Sequence, residues 1–136
     1  MQKEIRQTWQ FNKPPKDVWD YLTKPELLEQ WLGKIDFKPT VGYKFNVSGK
    51  GGCLMYCEVL EATPFTKLSY SWKYTSVNSD QQFDSQVVWT LVPTKSGTEL
   101  QLVHSGFTLV EDYISHNNGW IKLGGQLVEL LNTTTV

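Results

Sequence analysis

The sequence contains no long apolar run. None of its 136 residues belongs to a stretch approaching the roughly 18 consecutive apolar residues of a membrane-spanning helix. The N-terminal segment MQKEIRQTWQF alternates polar and apolar types and carries charges throughout, which a secretory signal does not. The sequence therefore predicts a cytoplasmic protein without a membrane span.

An excess of charge of either sign is also missing. The chain has 13 Lys and Arg residues against 14 Asp and Glu residues, and its formal net charge is −1. Proteins that bind nucleic acids or anionic surfaces normally present a basic patch. The charge balance therefore predicts no nucleic-acid partner.

Metal-ligating residues are few. The chain has two His and two Cys residues, and Cys53 and Cys57 would lie about 13 Å apart on a strand that rises about 3.3 Å per residue. A disulfide needs Cα atoms within about 7 Å, and metal ligands must cluster. We therefore expect two buried, unlinked cysteines, no metal site and no cofactor.

Aromatic residues are abundant instead, with six Trp, six Tyr and six Phe. Aromatic side chains bury large areas, so such a set indicates either a large core or a cavity with aromatic walls. The length suits one domain with one core, and we assign residues 1–136 to a single domain.

The hydrophobic periodicity predicts an α+β fold. Residues 3–11 alternate like a strand, and two short helices follow Pro14 and Pro15, the second opened by a capping box at Thr23–Glu26. Further strands are predicted at residues 41–47, 53–62, 65–74, 83–92 and 98–107. The short turns between these strands favour an antiparallel meander.

A long amphipathic helix is predicted at residues 109–132. Its apolar stripe comprises Trp120, Leu123, Leu127 and Leu131, widened by Ile121, Val128 and Leu130. Gly119, Gly124 and Gly125 interrupt the helix, and each lowers its stability by roughly 1 kcal/mol relative to Ala. We therefore expect another element close against this helix, or a bend in it.

Five segments together resemble a known family. In chain order they are PPKDVWDYLTKPELLEQWLG (14–33), VGYKF (41–45), EVLEATPFTKLSYSW (58–72), GTELQLVHSGF (97–107) and HNNGW (116–120). They resemble the START/Bet v 1-like superfamily and, within it, the domain family of the ATPase activators of the ninety-kilodalton heat-shock chaperone. The resemblance implies a helix-grip fold, in which a curved antiparallel sheet of about six to seven strands wraps around a long C-terminal helix, with two short helices after the first strand.

The resemblance also implies an apolar cavity between the sheet and the last helix. In that arrangement the expected ligand-binding residues are Trp31, Met55, Tyr70, Trp72, Trp89, Leu102, His104, Trp120, Leu123 and Leu127. The alternation of residues 98–107 puts His104 on one face with Leu100 and Leu102. Two roles stay open for His104: a core histidine satisfied by a neighbouring group, or a polar anchor in the cavity wall.

A serine nucleophile is not supported. His104 and Ser105 are adjacent on a strand, so their side chains point to opposite faces, and the sequence has no Gly-x-Ser-x-Gly motif. His116 could supply a base, but nothing in the sequence places it near Ser105. We predict no catalytic residues.

The leading functional hypothesis is the binding of a hydrophobic small molecule (a lipid, sterol, polyketide or flavonoid-like compound) by a carrier or sensor. A second hypothesis, implied by the resemblance, is co-chaperone-like stimulation of a heat-shock chaperone ATPase. A third, less favoured, is a cavity enzyme of cyclase or aromatase type, with His104, Tyr56, Tyr70 and Glu58 as candidate groups. An inward Glu58 near His104 would favour the enzyme, but the pattern of residues 53–62 leaves its direction open.

The strand predicted at residues 53–62 also bears on the oligomeric state. Its apolar face at residues 54–60 could form a dimer surface or pack beneath the short helices. We therefore expect a monomer or a weak homodimer.

Overall fold

The computed structural model describes residues 3–48, 54–77 and 79–132. Its elements, in chain order, are β1 Lys3–Phe11, α1 Pro15–Thr23, α2 Pro25–Leu28, β2 Lys44–Ser48, β3 Leu54–Thr63, β4 Lys67–Thr75, β5 Gln82–Thr94, β6 Gly97–Phe107 and α3 Val110–Asn132. Two short helices follow the first strand and one long helix follows the last strand, as predicted.

The six strands form one antiparallel sheet in the order β1-β6-β5-β4-β3-β2. Strands β2 to β6 are the predicted meander, and β1 pairs with the free edge of β6. The sheet curves around α3, which packs against β1 and β6. This is the expected helix-grip fold, and it encloses the core between one face of the sheet and the three helices.

One glycine fixes how closely α3 approaches the sheet. Gly124 is buried, and a methyl group at its position would overlap the indole of Trp9 on β1. The corresponding positions at Gly119 and Gly125 are open. The close neighbour expected from the helix glycines is therefore the Trp9 ring, and of the three glycines Gly124 alone meets it.

Two local expectations are wrong. Thr23 does not cap α2, because it belongs to the last turn of α1, where its hydroxyl donates to the Trp19 carbonyl at 2.9 Å. A single residue, Lys24, separates the two helices and makes no side-chain capping bond. Ile121 does not widen the apolar stripe of α3, because its side chain is 55% exposed.

The outer face of β3 is apolar and uncovered. Cys57 and Val59 are buried on the inner side of β3, so Leu54, Tyr56 and Leu60 point outward and stay exposed. This face therefore does not pack beneath the short helices, and the weak homodimer stays a prediction for it. Cys57 has a free thiol whose pKa burial raises to about 12, while Cys53 lies outside the described residues.

Candidate functional site

The interior between the sheet and α3 brings most of the predicted ligand-binding residues together. One buried core cluster contains Trp31, Tyr70, Trp72, Trp89, Leu102, Trp120 and Leu127, and Met55 and Leu123 pack against it while partly exposed. His104 is buried beside Trp72 and Trp120. Alternation explains the strand members, because every second side chain of β4, β5 and β6 points to the inner face of the sheet and is buried.

Aromatic rings fill this interior. The ring centroid of Trp120 lies 5.4 Å from that of Trp72 and 5.5 Å from that of Trp89. Trp31 meets Trp89 edge-on at 6.2 Å, and Tyr70 stacks beside Trp72 at 6.3 Å. These separations are typical of rings in contact. The sheet and the helix are therefore joined by an aromatic core with polar atoms at its edges.

Trp89 and Tyr70 satisfy each other's polar atoms. The Trp89 indole Nε1–H donates to the Tyr70 hydroxyl at 2.8 Å. Burial raises the pKa of Tyr70, so its hydroxyl stays protonated and neutral. This pair therefore orients two rings of the interior without placing a charge there.

His104 is completely buried and is held in one neutral form. Its Nδ1 accepts a hydrogen bond from the Trp120 indole Nε1–H at 2.9 Å. An indole nitrogen can only donate, so Nδ1 carries no proton and the proton of the neutral ring lies on Nε2. Nε2–H then donates to the Ser85 hydroxyl at 2.8 Å, which in turn donates to the Trp72 carbonyl at 2.7 Å. Burial and the nearby His116 lower the pKa of His104 well below its usual value.

This hydrogen-bond chain excludes Ser85 as an activated nucleophile. A serine nucleophile must give its proton to an unprotonated histidine nitrogen. Here the His104 nitrogen that faces Ser85 carries the proton, and the Ser85 proton points to the Trp72 carbonyl. The hydrogen bonds satisfy His104 with neighbouring groups on all sides, which is the first of the two roles that its sequence position left open.

His116 is a second neutral histidine beside the first. Its Nε2 accepts from the Trp72 indole Nε1–H at 3.3 Å, and its Nδ1–H donates to the Asp112 carbonyl at 2.9 Å. Its ring centroid lies 4.7 Å from Tyr74 and 5.4 Å from His104. Burial lowers the pKa of His116, although the Asp112 carbonyl and charge oppose that shift. Two indole donors thus each fix one neutral imidazole.

Asp112 joins the start of α3 to the end of β4. Its Oδ1 accepts from the Ser76 hydroxyl at 3.1 Å and from the Val77 backbone N–H at 3.0 Å. Burial and then the Asp112 carboxylate raise the pKa of Tyr74 to about 12. Sequence reasoning missed both Asp112 and Ser85. The position of Asp112 in the first turn of a long helix is the one signal that could have marked it.

The remaining enzyme candidates lie on the other side of the sheet. Glu58 and Tyr56 face outward and line an open groove of about 460 Å³ with Lys44, Ser71 and Lys73. Glu58 therefore does not approach His104. A cavity enzyme of cyclase or aromatase type was favoured only if Glu58 pointed inward near His104, and this is not the case.

The described residues contain no helix that is long and apolar enough to cross a membrane. Within the same ranges, no three His, Cys, Asp or Glu side chains cluster in a way that could hold a metal ion. A second recess, of about 220 Å³, lies between α1 and the end of α3 and is lined by residues such as Tyr21 and Leu131.

The fold and the aromatic interior define a helix-grip domain of the START/Bet v 1-like type. The family model described as "Activator of Hsp90 ATPase homolog 1-like protein" matches residues 12–132. The chain belongs to this family. A comparison with functionally curated proteins gives no match.

Solved structures agree with this assignment. Protein MLL2253 from Mesorhizobium loti is 36% identical, with a TM-score of 0.89 over 98% of this chain and 100% of that one. DynU16, from the dynemicin biosynthetic locus, is 25% identical with a TM-score of 0.82, and the match covers 94% of this chain and 46% of DynU16. The Aha1 dimer from Colwellia psychrerythraea shares the fold at 18% identity, with a TM-score of 0.79 over 96% of each chain.

Proposed function

We propose that this protein binds a flat hydrophobic small molecule between the sheet and α3, as a carrier or sensor. The observation that carries the proposal is the aromatic interior, where Trp72, Trp89 and Trp120 meet. Ligand sites are typically apolar and aromatic with a few polar groups that fix orientation. The helix-grip fold of this family, shared with DynU16, is consistent with a ligand site at this position.

Because the Trp72, Trp89 and Trp120 rings are in contact, one of them must move before a ligand can bind between the sheet and α3. Because the rings already touch, a flat ligand takes the place of one of them. Trp120 is the ring we expect to move, since it stands on α3, whereas Trp72 and Trp89 are fixed on neighbouring strands of the sheet. One side-chain hydrogen bond, to His104, holds the Trp120 indole nitrogen.

A thermal-shift screen with flat aromatics, sterols and fatty acids tests the proposal. A ligand present at 100-fold its dissociation constant adds about 2.7 kcal/mol of stability, so we expect a chemically coherent set of compounds to raise the melting temperature. A cooperative melt that no compound in the panel shifts would contradict the proposal.

Conservative variants then locate the site. Truncation of a buried Trp to Ala costs about 3–5 kcal/mol, so Trp72→Phe and Trp89→Phe are preferable. We expect each to change the affinity for the compounds found in the screen. Trp19→Phe is the matched control, because Trp19 is also a buried ring but meets Phe65 instead of the α3 aromatics. Equal affinities in all three variants would place the ligand elsewhere.

The family description favours one alternative, stimulation of a heat-shock chaperone ATPase. The chaperone's ATPase rate with and without this protein tests it directly. An unchanged rate at saturating concentration rejects the alternative and leaves the ligand proposal intact.

A further inference from the structure

One side of α3 carries exposed apolar residues that the core does not use. Val110, Ile114 and Ile121 are each at least half exposed. Together with Asn117 they follow one another at intervals of four, three and four residues, which places all four on one side of the helix. Helices that pack against each other present apolar residues at this spacing. This α3 row, formed by residues 110, 114, 117 and 121, is therefore suited to contact a second helix.

The α3 row lies beside the outer edge of β1. Asn117, within the row, accepts a hydrogen bond from the Gln7 side-chain amide at 2.9 Å through its Oδ1. The sheet order ends at β1, so among the described residues no strand pairs with this edge. β1 is nine residues long, whereas β2, at the other end of the sheet, has five. A long free edge presents backbone N–H and C=O groups to which a further strand can pair.

The charges on this edge suit a second copy of the same strand. Glu4 and Arg6 are two residues apart and form an exposed ion pair. A free edge that carries one sign of charge repels an identical strand. Here an antiparallel copy centred on Ile5 places Glu4 opposite Arg6 of the second copy, and the reverse pair forms as well. Opposite charges at directly facing positions stabilise strand pairing, so the β1 edge is complementary to itself.

The centre of this strand pairing lies at the same level as the centre of the α3 row. Lys3 Nζ lies 5.7 Å from the ring centroid of Tyr113, and Gln7 bonds to Asn117. Ile5 is midway between Lys3 and Gln7, so it lies level with the helical turn between Tyr113 and Asn117. The midpoint of the α3 row falls in the same turn. One twofold axis can therefore relate both the strands and the helices of two copies.

That axis also brings the two helices to packing distance. α3 packs over β1 and β6, and neighbouring strands lie about 4.8 Å apart. Joining two β1 edges separates the two α3 axes by about two strand spacings, or roughly 10 Å, and packed helices lie about 8–10 Å apart. α3 runs in the same direction as β1. The two helices are therefore antiparallel, and Val110 faces Ile121 of the second copy.

We propose that a second copy of this chain docks on the β1 edge and the α3 row, so that the two sheets join across a twofold axis. Both copies then contribute the same surface, as in most symmetric dimers. This inference does not depend on the proposed ligand. It places the predicted homodimer at the β1 edge, and the exposed residues Leu54, Tyr56 and Leu60 on the outer face of β3 form the alternative surface.

Sedimentation velocity over a range of protein concentrations tests the inference. We expect the native chain to form a dimer whose population rises with concentration. Ile114→Lys puts a charge against the second helix, so it should raise the dissociation constant at least about tenfold. Leu60→Lys is the matched control, because Leu60 is similarly exposed but lies on the outer face of β3. It should leave the dissociation constant unchanged.

Charge reversal at the strand edge identifies the partner. Arg6→Glu leaves two carboxylates at the edge and Glu4→Arg leaves two cations, so each variant alone places like charges opposite each other. We expect each variant to dimerise at least about tenfold more weakly than the native chain. An equimolar mixture of the two variants restores both opposite-charge pairs and should dimerise like the native chain. Added salt should reduce these differences, because the charges are exposed.

Three results would overturn the inference. The first is a native chain that stays monomeric at every concentration. The second is a dimer that Leu60→Lys disrupts and Ile114→Lys leaves intact, since such a dimer lies on the outer face of β3. The third is a mixture of the charge-reversed variants that dimerises no better than either variant alone. The melting temperature of each variant checks that it is folded, and recovery of the dimer on mixing cannot be explained by a loss of stability in one variant.

Discussion

Replacement of Gly124 by Ala is expected to destabilise the protein, although Ala is the better helix former. The added methyl group would overlap the Trp9 indole, and Trp9 is packed in turn against Trp89 at a centroid distance of 6.2 Å. Overpacking of this kind costs typically about 1–3 kcal/mol. Most of this range exceeds the roughly 1 kcal/mol gained by replacing a helical Gly with Ala. Chemical denaturation of the variant measures the loss of unfolding free energy.

The neighbouring glycine provides the control. Gly125 lies one position further along the same helix, and a methyl group there meets no other atom. Gly125→Ala should therefore raise the unfolding free energy by up to about 1 kcal/mol. A rise in both variants would show that Trp9 yields freely and that Gly124 does not set the approach of α3.

A double-mutant cycle identifies the contact. Trp9→Leu removes the ring that the new methyl group meets, so it should destabilise the Gly124→Ala protein less than the native protein. Additive effects would mean that the strain lies elsewhere in the helix. The sequence indicates a close neighbour from its helical glycines, but only the register of β1 against α3 shows which glycine meets Trp9.

Alternation and resemblance account for most of what could be predicted. The period of two in β4, β5 and β6 puts Tyr70, Trp72, Trp89, Leu102 and His104 on the inner face, where the structure has them. Because this period does not depend on distant residues, the sequence of a single strand is enough to predict which of its side chains face the core. The period did not predict the inner face of β3, because both faces of that strand are apolar and the pattern then does not distinguish inward from outward side chains.

The hydrogen-bond partners of the interior could not be predicted in the same way. Ser85 meets His104 across two adjacent strands, from positions 19 residues apart in the chain. Asp112 meets Ser76 over 36 positions. Such pairs depend on the register of the strands and on the position of α3 on the sheet, which short-range sequence patterns do not encode. The polar half of the candidate site therefore appears only once the sheet and α3 are assembled.

Mild acid is expected to destabilise the fold through its two histidines. Both rings are neutral, His104 is buried and His116 half-buried, and the pKa of each is lowered in the folded state, His104 more strongly than His116. In the unfolded chain each titrates near its usual value of about 6.5. Below that value the unfolded state binds more protons than the folded state, so stability is present above about pH 6.5 and falls as the pH decreases.

The expected size of this effect is large for so small a protein. A histidine that stays neutral when folded, as His104 does, contributes a loss on the order of 2 kcal/mol between pH 7 and pH 5. His116, whose pKa is lowered less, contributes a smaller loss. Protonation in place is opposed at both rings, because the new N–H would point at an indole N–H, from Trp120 at His104 and from Trp72 at His116. The unfolding free energy across this range, measured by denaturant titration, should therefore fall steeply.

The composition makes the assignment clean, because the chain has only two histidines and carboxylates titrate mainly below pH 5. His116→Gln can still accept the Trp72 indole proton through its amide oxygen and should make the pH dependence shallower. The double variant with His104→Gln should remove most of it between pH 5 and pH 6.5. If the native protein shows no loss of stability in this window, the histidines are protonated in the folded state. The indole–imidazole pairs that define the interior would then be wrong, because a protonated imidazole has no free nitrogen to accept the indole proton.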